Sequence, residues 1–314
     1  FHVRDCFFTK PKDRGLTSIG TGCQGMMIDR CQFNSNETAL TVQARKSIAL
    51  NTNANDVKVR DNRIMMFRHF AVMGGSTTVM TGNHWFQGDT QQDGVRTGGL
   101  VLTSPNPSST ISCNYIDNNF IEWTNEHSAE PALGNQFSFG GMTVAGNIFF
   151  ASNVAASFKF IVIKPYGPNH FIHGLTVSGN VFRSINGFID RVEKVDTTFA
   201  DLDYGRIRTV DFSGNTFHGV SNEVFNPAYL THNQVSTAST WTADTDPYLP
   251  FRGRARYVDS VVVGGDLRNS SNGQEYIAPT AVGGQGSGNR SVNFKWGKPV
   301  KGRVRYIVRM DNPL

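Results

Sequence analysis

One short pattern recurs along this chain of 314 residues and constrains its fold more than any other feature. It runs apolar, any, apolar, any, Gly or polar, Asn or Cys, any, apolar. Copies are centred on Cys6, Cys31, Asn62, Asn83, Asn114, Asn147, Asn180 and Asn215, at spacings of 25, 31, 21, 31, 33, 33 and 35 residues. Three of them, TVAGNIFF, TVSGNVF and DFSGNTF, are nearly interchangeable. Bounded spacings of this size indicate a solenoid with loops of variable length. Within each copy apolar and polar residues alternate, which is the period of a half-buried strand, and no stretch sustains a helical period.

The pattern predicts two short strands meeting at a Gly-Asn corner. Asn tolerates the left-handed conformation, and its amide can bond a neighbouring backbone. Stacked over successive coils, such amides also bond one another in a ladder. Phe8, Phe33, Phe86, Phe149, Phe182 and Phe217 lie two or three places beyond the corner and are expected to stack inward. This gives one structural assignment to part of an unusual composition with 32 Gly, 23 Phe and 27 Asn.

These repeats resemble the right-handed parallel β-helix of the pectate-lyase-like superfamily, over roughly residues 1 to 235. The resemblance implies an all-β, single-stranded solenoid. The shortest spacings fit one bare three-sided coil, and the longer ones imply insertions of about ten residues. Cys6 and Cys31 occupy the Asn slot and are expected to be buried structural thiols. Four cysteines without a CxxC pair exclude a disulfide scaffold and offer no structural zinc site. No apolar run is long enough to span a bilayer as a helix. The chain opens on FHVRDCFF, already a strand, as expected of a fragment or processed form lacking its N-terminal part.

Beyond residue 235 the pattern decays, so two domains are expected, a helix over 1–235 and a β-rich cap or oligomerisation region over 236–314. Residues 235–250 read as a linker or extended loop, and 290–314 as a hairpin turning at Gly297-Lys298-Pro299. Residues 251–314 carry 11 Lys/Arg against 4 Asp/Glu, while the remainder has 19 against 21. An anion-seeking surface is therefore expected toward the C-terminal end. Arg303, Arg305 and Arg309 alternate along one strand face, but few aromatics accompany them, which disfavours nucleic acid.

Chemistry is expected in the insertions. Residues 84–130 hold His84, Trp85, Asp89, Asp93, Arg96, Glu122, Trp123, Glu126, His127 and Glu130, and 157–173 hold Lys159, Lys164, Tyr166, His170 and His173. Counted from the ladder Asn, Arg96, His127 and Lys159 fall at nearly one offset on consecutive coils, a basic strip flanked by Asp93 and Glu122. Carboxylates, bases and aromatics on one groove are what a polysaccharide needs. Hydrolysis would use two of Asp89, Asp93, Glu122 and Glu126, with Asp93, Glu122 and Glu126 as the catalytic set. Elimination on a uronate would use Lys159, Lys164, Arg96 or His127 as base or carboxylate partner, with Tyr166 as acid. Arg96, Trp123, His127, Lys159, Lys164 and Tyr166 are the substrate-binding candidates, Trp123 as a stacking face and Trp85 as core.

The signature motifs of polygalacturonases and of classical pectate lyases are missing. No cofactor is implied: calcium lacks the clustered acids it needs, and His170 with His173 lacks a third metal ligand. A capped β-helix without those motifs is similar in architecture to phage tailspikes and phage-derived spike proteins. That resemblance implies an extracellular or particle-borne protein that binds a cell-surface polysaccharide, sometimes cleaves it, and often assembles as a homotrimer. The alternative is a secreted polysaccharide lyase or glycoside hydrolase acting on an acidic polysaccharide.

Overall fold

The computed structural model describes residues 1–18, 20, 23–35, 47–86, 99–125 and 137–312. It divides into two compact units, one formed by Phe1–Asp203 and Gly214–Glu223, the other by Tyr204–Ser213 and Val224–Leu314.

The first unit is a right-handed single-stranded parallel β-helix with three sheets. Its first face stacks His2–Arg4, Met27–Asp29, Lys58–Arg60, Val79–Thr81, Ser109–Ser112, Met142–Ala145 and His173–Ser178. Its second stacks Phe7–Thr9, Gln32–Asn34, Arg63–Met65, His84–Phe86, Tyr115–Asp117, Ile148–Ser152, Val181–Ile185 and Thr216–His218. Its third stacks Arg14–Ser18, Ile48–Thr52, His69–Met73, Gly99–Leu102, Phe120–Thr124, Ile161–Lys164 and Glu193–Val195. One strand of each face is visited per turn of the chain, so strands adjacent in a sheet are a whole coil apart in sequence.

The ladder predicted from the repeats forms at the corner between the first and second faces. Each Asn side-chain oxygen accepts from the backbone N–H and the side-chain Nδ2 of the preceding ladder Asn. For Asn147 these distances are both 3.0 Å to Asn114, and for Asn180 both 3.0 Å to Asn147. The same run extends from Asn62 through Asn83 to Asn215, and Asn62 Oδ1 accepts the Cys31 N–H at 2.8 Å. Each Nδ2 also donates to a backbone carbonyl, Asn147 to Ile111 at 3.0 Å and Asn180 to Val144 at 3.0 Å. Every amide atom is thus satisfied in a site closed to water, as a buried polar group requires.

The corner differs from expectation in one respect. The left-handed residue is the one before the Asn. Gly82, Gly146, Gly179 and Gly214 have φ between 62° and 68°, and Asp5, Arg30, Asp61 and Cys113 at the equivalent places have φ between 50° and 56°. A side chain in that conformation is strained, and Gly takes four of these eight corners. Cys113 is exposed, so its side chain gains little burial to set against that strain. Cys113→Gly is expected to raise stability by about 0.5–1 kcal/mol. A denaturation midpoint that falls would contradict this account of the corner.

Below the ladder, the inward positions of the second face run in register as Phe8, Phe33, Ile64, Trp85, Ile116, Phe149, Phe182 and Phe217. Phe8 and Phe33 stack at 4.4 Å and 2°, and Phe149 and Phe182 at 4.9 Å and 18°. Phe86 is not in this stack: it pairs with Met65 and Asp117, and Trp85 takes the inward slot on its coil. Cys31 is buried, whereas Cys6 is exposed because no described coil stacks on its outer side. Near the first coils a charge ladder fixes the outward row, where Asp29 receives Arg60 at 3.1 Å and lies 3.6 Å from Arg4. Burial raises the Asp29 carboxyl, but the hydrogen bond and charge of Arg60, with Arg30 and Arg4, outweigh it and hold its pKa below the ordinary value.

The second unit is an antiparallel sheet built on one long strand, Ser291–Arg309. Ala228–Asp244 pairs with it along one edge, and Tyr257–Val263 and Thr280–Gln285 also pair with it. Trp241 and Trp296 pack with centroids 4.5 Å apart, and Phe294 and Tyr306 at 5.0 Å. Burial pushes the Tyr306 phenol well above its ordinary pKa. Asp311, fully buried, accepts from Val210 N at 2.8 Å, Asn226 Nδ2 at 2.9 Å and Arg309 Nε at 3.0 Å. Two expectations are corrected here. Residues 235–244 are strand, not loop, because the run of Thr, Ser and Val alternates against Ser291–Arg309. That strand also crosses the expected domain boundary at 235. The Gly297-Lys298-Pro299 signal makes no hairpin: Ala238 faces Val300 while Thr240 faces Lys295, so the intervening residues are a bulge in one continuous strand.

Candidate functional site

The third face carries an open groove. Its central outward row is Thr17, Asn51, Val72, Val101, Glu122, Val162 and Lys194, aligned strand by strand. Side chains alternate across a strand, so the neighbours Leu50, Met73, Leu102, Trp123 and Ile163 point into the core. The groove has a volume of about 440 Å³ and is lined by Arg14, Ile48, Asn51, Asn53, His69, Val72, Val101, Thr103 and Glu122.

Each part of that lining has a local cause. Ile48, Val72 and Val101 form an apolar floor because β-branched residues pack on a pleated surface. Gly74 lies between Asn53 and Thr103, where an added Cβ would sit 3.3 Å from each of those side chains. Its lack of a side chain keeps that end of the groove open. Thr103 Oγ1 donates to Met73 O at 3.4 Å, and Ser104 Oγ donates to Gly74 O, which pins the strand exit. Ser18 and Thr52 bond each other below the surface. Arg14 stands on the rim, 3.6 Å from Asp13 and partly exposed. The groove therefore offers an apolar bed, neutral donors and acceptors from Asn51, Asn53 and Thr103, two basic side chains and one carboxylate from the described residues.

Of the site residues read from sequence, Glu122 lies in the groove. Asp89, Asp93, Arg96, Glu126, His127 and Glu130 lie outside the described residues. Trp123 is a correction: it is fully buried, aligned with Leu102 and Ile163 in the inward row, and presents no face to a sugar. A strand that points Glu122 outward must point its neighbour inward. Trp85 is core as expected. Lys159 is also corrected, since it stands in no solvent strip. Its side chain is almost entirely buried, with Nζ 3.4 Å from Ala156 O and 3.9 Å from Asp190. Desolvation lowers its pKa, against the opposing charges of Asp190 and Glu193.

Lys164 and Tyr166 stand further along the same face. Lys164 ends its strand aligned with Thr124, one place beyond the Trp123–Ile163 pair. Tyr166 stacks on Phe199 with centroids 4.2 Å apart at 18°. His170 is fully buried with Asn125, whereas His173 is exposed, so the two diverge. Among the described residues no three His, Cys, Asp or Glu side chains converge as ligands of a metal ion. Sequence reading missed Arg14, Asn51, Asn53, His69, Thr103 and Phe199. The offset from the ladder position does not carry their register, because the aligned row falls 20 residues after Cys31 at Asn51, 10 after Asn62 at Val72 and 8 after Asn114 at Glu122.

No family model and no curated protein matches this chain. Solved structures do. A mutant tailspike protein of Escherichia coli bacteriophage HK620 aligns over 99% of this chain and 64% of its own, with a TM-score of 0.39 and 12% identity. The tailspike protein from Pseudomonas phage LKA1 aligns over 99% and 59%, with a TM-score of 0.34 and 11% identity. Another mutant of the first, in complex with a pentasaccharide, aligns over 96% and 68%, with a TM-score of 0.36 and 12% identity. The chain thus spans less than two thirds of the length of the first two. Its own three stacked parallel sheets define it as a right-handed parallel β-helix.

Proposed function

We propose that the third face binds an extracellular or cell-surface polysaccharide lying across the coils. The observation that carries this reading is the groove of about 440 Å³, with an apolar floor and amide, hydroxyl and charged walls. Sugar rings present C–H faces and hydroxyl edges, and both find partners there. Ordered polar groups on a rigid sheet lose little entropy on binding. A protein with this role works outside a cell or on a phage-like particle. Among the described residues, no helix is long and apolar enough to cross a membrane. A homotrimer is part of the proposal, because among the described residues Ala228–Asp244 pairs on one edge, which leaves the other edge of this strand for another chain. Light scattering that finds a stable monomer removes the trimer.

The test is a panel of bacterial exopolysaccharides and uronates, read by calorimetry for binding, by ultraviolet absorbance for unsaturated product and by reducing ends for hydrolysis. Binding without product supports recognition alone. No binding to any member removes the reading. The second reading is an enzyme, a polysaccharide lyase or glycoside hydrolase, and Glu122 in the groove is what favours it. In that case Glu122→Gln is expected to cut hydrolysis by at least about 100-fold with an unchanged melting temperature. Unchanged turnover takes Glu122 out of the chemistry.

A further inference from the structure

Beyond the groove, the third face carries an aromatic step beside a cation. Phe199 is 57% exposed although it is a large apolar side chain. One of its faces lies on Tyr166 at 4.2 Å. Lys164 Nζ is 5.2 Å from the Tyr166 centroid and 5.5 Å from that of Phe199. With the rings only 4.2 Å apart, a point almost equidistant from both lies beside the stack, not on its outer face. The outer face of Phe199 is therefore left to solvent, with an ammonium at its margin.

The step is held from behind. Tyr166 N donates to Asn125 Oδ1 at 2.7 Å, and Asn125 Nδ2 is 2.8 Å from His170 Nε2. Because Asn125 Oδ1 accepts, its Nδ2 is the donor, and Nε2 must accept as a neutral imidazole. Asn125 and His170 are fully buried, and His170 packs 5.7 Å from Phe137 and 5.9 Å from Phe139. A fixed ring face with a cation at its edge matches one kind of ligand: a pyranose whose C–H face stacks on the ring and whose anionic substituent meets the ammonium. Glu122 lines the groove, and Lys164 stands on the next strand, two places beyond Val162, the partner of Glu122.

We propose that Lys164, Tyr166 and Phe199 form a subsite for an anionic sugar ring, carboxylated or sulfated, separate from the groove and on the same unit. The inference rests on the glycan-binding reading and names a class of sugar within it. The test is calorimetry with a galacturonate trisaccharide, its carboxyl-reduced form and a sulfated trisaccharide, alongside the neutral members of the panel. Wild type is expected to bind an acidic trisaccharide about tenfold more tightly than the reduced one. Phe199→Ala is expected to weaken both about tenfold. Lys164→Gln is expected to abolish the preference and leave the reduced form's affinity unchanged. The acid that shows the preference, uronate or sulfate, identifies the substituent. A wild type that binds only neutral glycans overturns the subsite, as does either variant behaving like wild type. A wild type that binds no glycan overturns the glycan reading itself.

Discussion

Asn147→Ala is expected to lower the unfolding free energy by about 2–3 kcal/mol, read from the denaturant midpoint at constant slope. The side chain accepts the Asn114 N–H and Asn114 Nδ2 at 3.0 Å each, and donates to Ile111 O and Asn180 Oδ1 at 3.0 Å each. Truncation does not affect these four equally. Asn114 Nδ2 still reaches Met80 O at 3.1 Å, and Asn180 Oδ1 still accepts the Asn147 N–H at 3.0 Å. The Asn114 N–H and the Ile111 carbonyl lose these bonds in a fully buried site, and each orphaned group costs about 1–3 kcal/mol. The control is Asn51→Ala on the outward row. It lines the groove and is expected to change stability by less than about 0.5 kcal/mol while weakening glycan binding. Equal midpoints for wild type and Asn147→Ala would mean that the ladder contributes nothing to stability.

The same contrast between Asn147 and Asn51 shows what the sequence makes legible. A ladder slot demands one side chain on every coil, so its occupant repeats and the spacing of Asn62, Asn83, Asn114, Asn147, Asn180 and Asn215 announces the fold. The left-handed corner demands only a backbone conformation, which Gly, Asp, Arg and Cys all supply here, and the signal is diluted. Groove residues are further still from legibility. Arg14, Asn51, His69 and Glu122 each belong to a different coil, and nothing in the physics of the coil requires a particular type at an outward position. Phe199 reaches Tyr166 from the next coil, so no local motif links them. Strand parity was the usable signal left unread: Glu122 and Trp123 are neighbours on one strand and face opposite sides. The Gly297-Lys298-Pro299 bulge was misread because turn residues specify a break in pairing, and a break is either a hairpin or a bulge.

Phe182→Ala carries the largest expected effect, a loss of about 3–5 kcal/mol. Phe182 is fully buried, stacked on Phe149 at 4.9 Å and Phe217 at 5.7 Å, with Phe160 at 5.7 Å from a third side. The cost of such a cavity depends on whether the walls can collapse into it. Here they cannot, because the coils above and below are held at sheet spacing by the adjoining ladder, where Asn147, Asn180 and Asn215 are bonded in sequence. Truncation therefore forfeits both the transferred ring and its stacking. Phe182→Leu refills most of the volume and is expected to recover more than half of the loss. Phe188→Ala, at a ring 70% exposed, is expected to cost less than about 0.5 kcal/mol. A solenoid coil contacts only its neighbours, so the damage should also be local. Amide exchange is expected to accelerate in Ile148–Ser152, Val181–Ile185 and Thr216–His218 and to stay unchanged around the Phe8–Phe33 stack. Uniform acceleration along the first unit would mean that the coils unfold as one cooperative block and that the nearest-neighbour description of this helix is wrong.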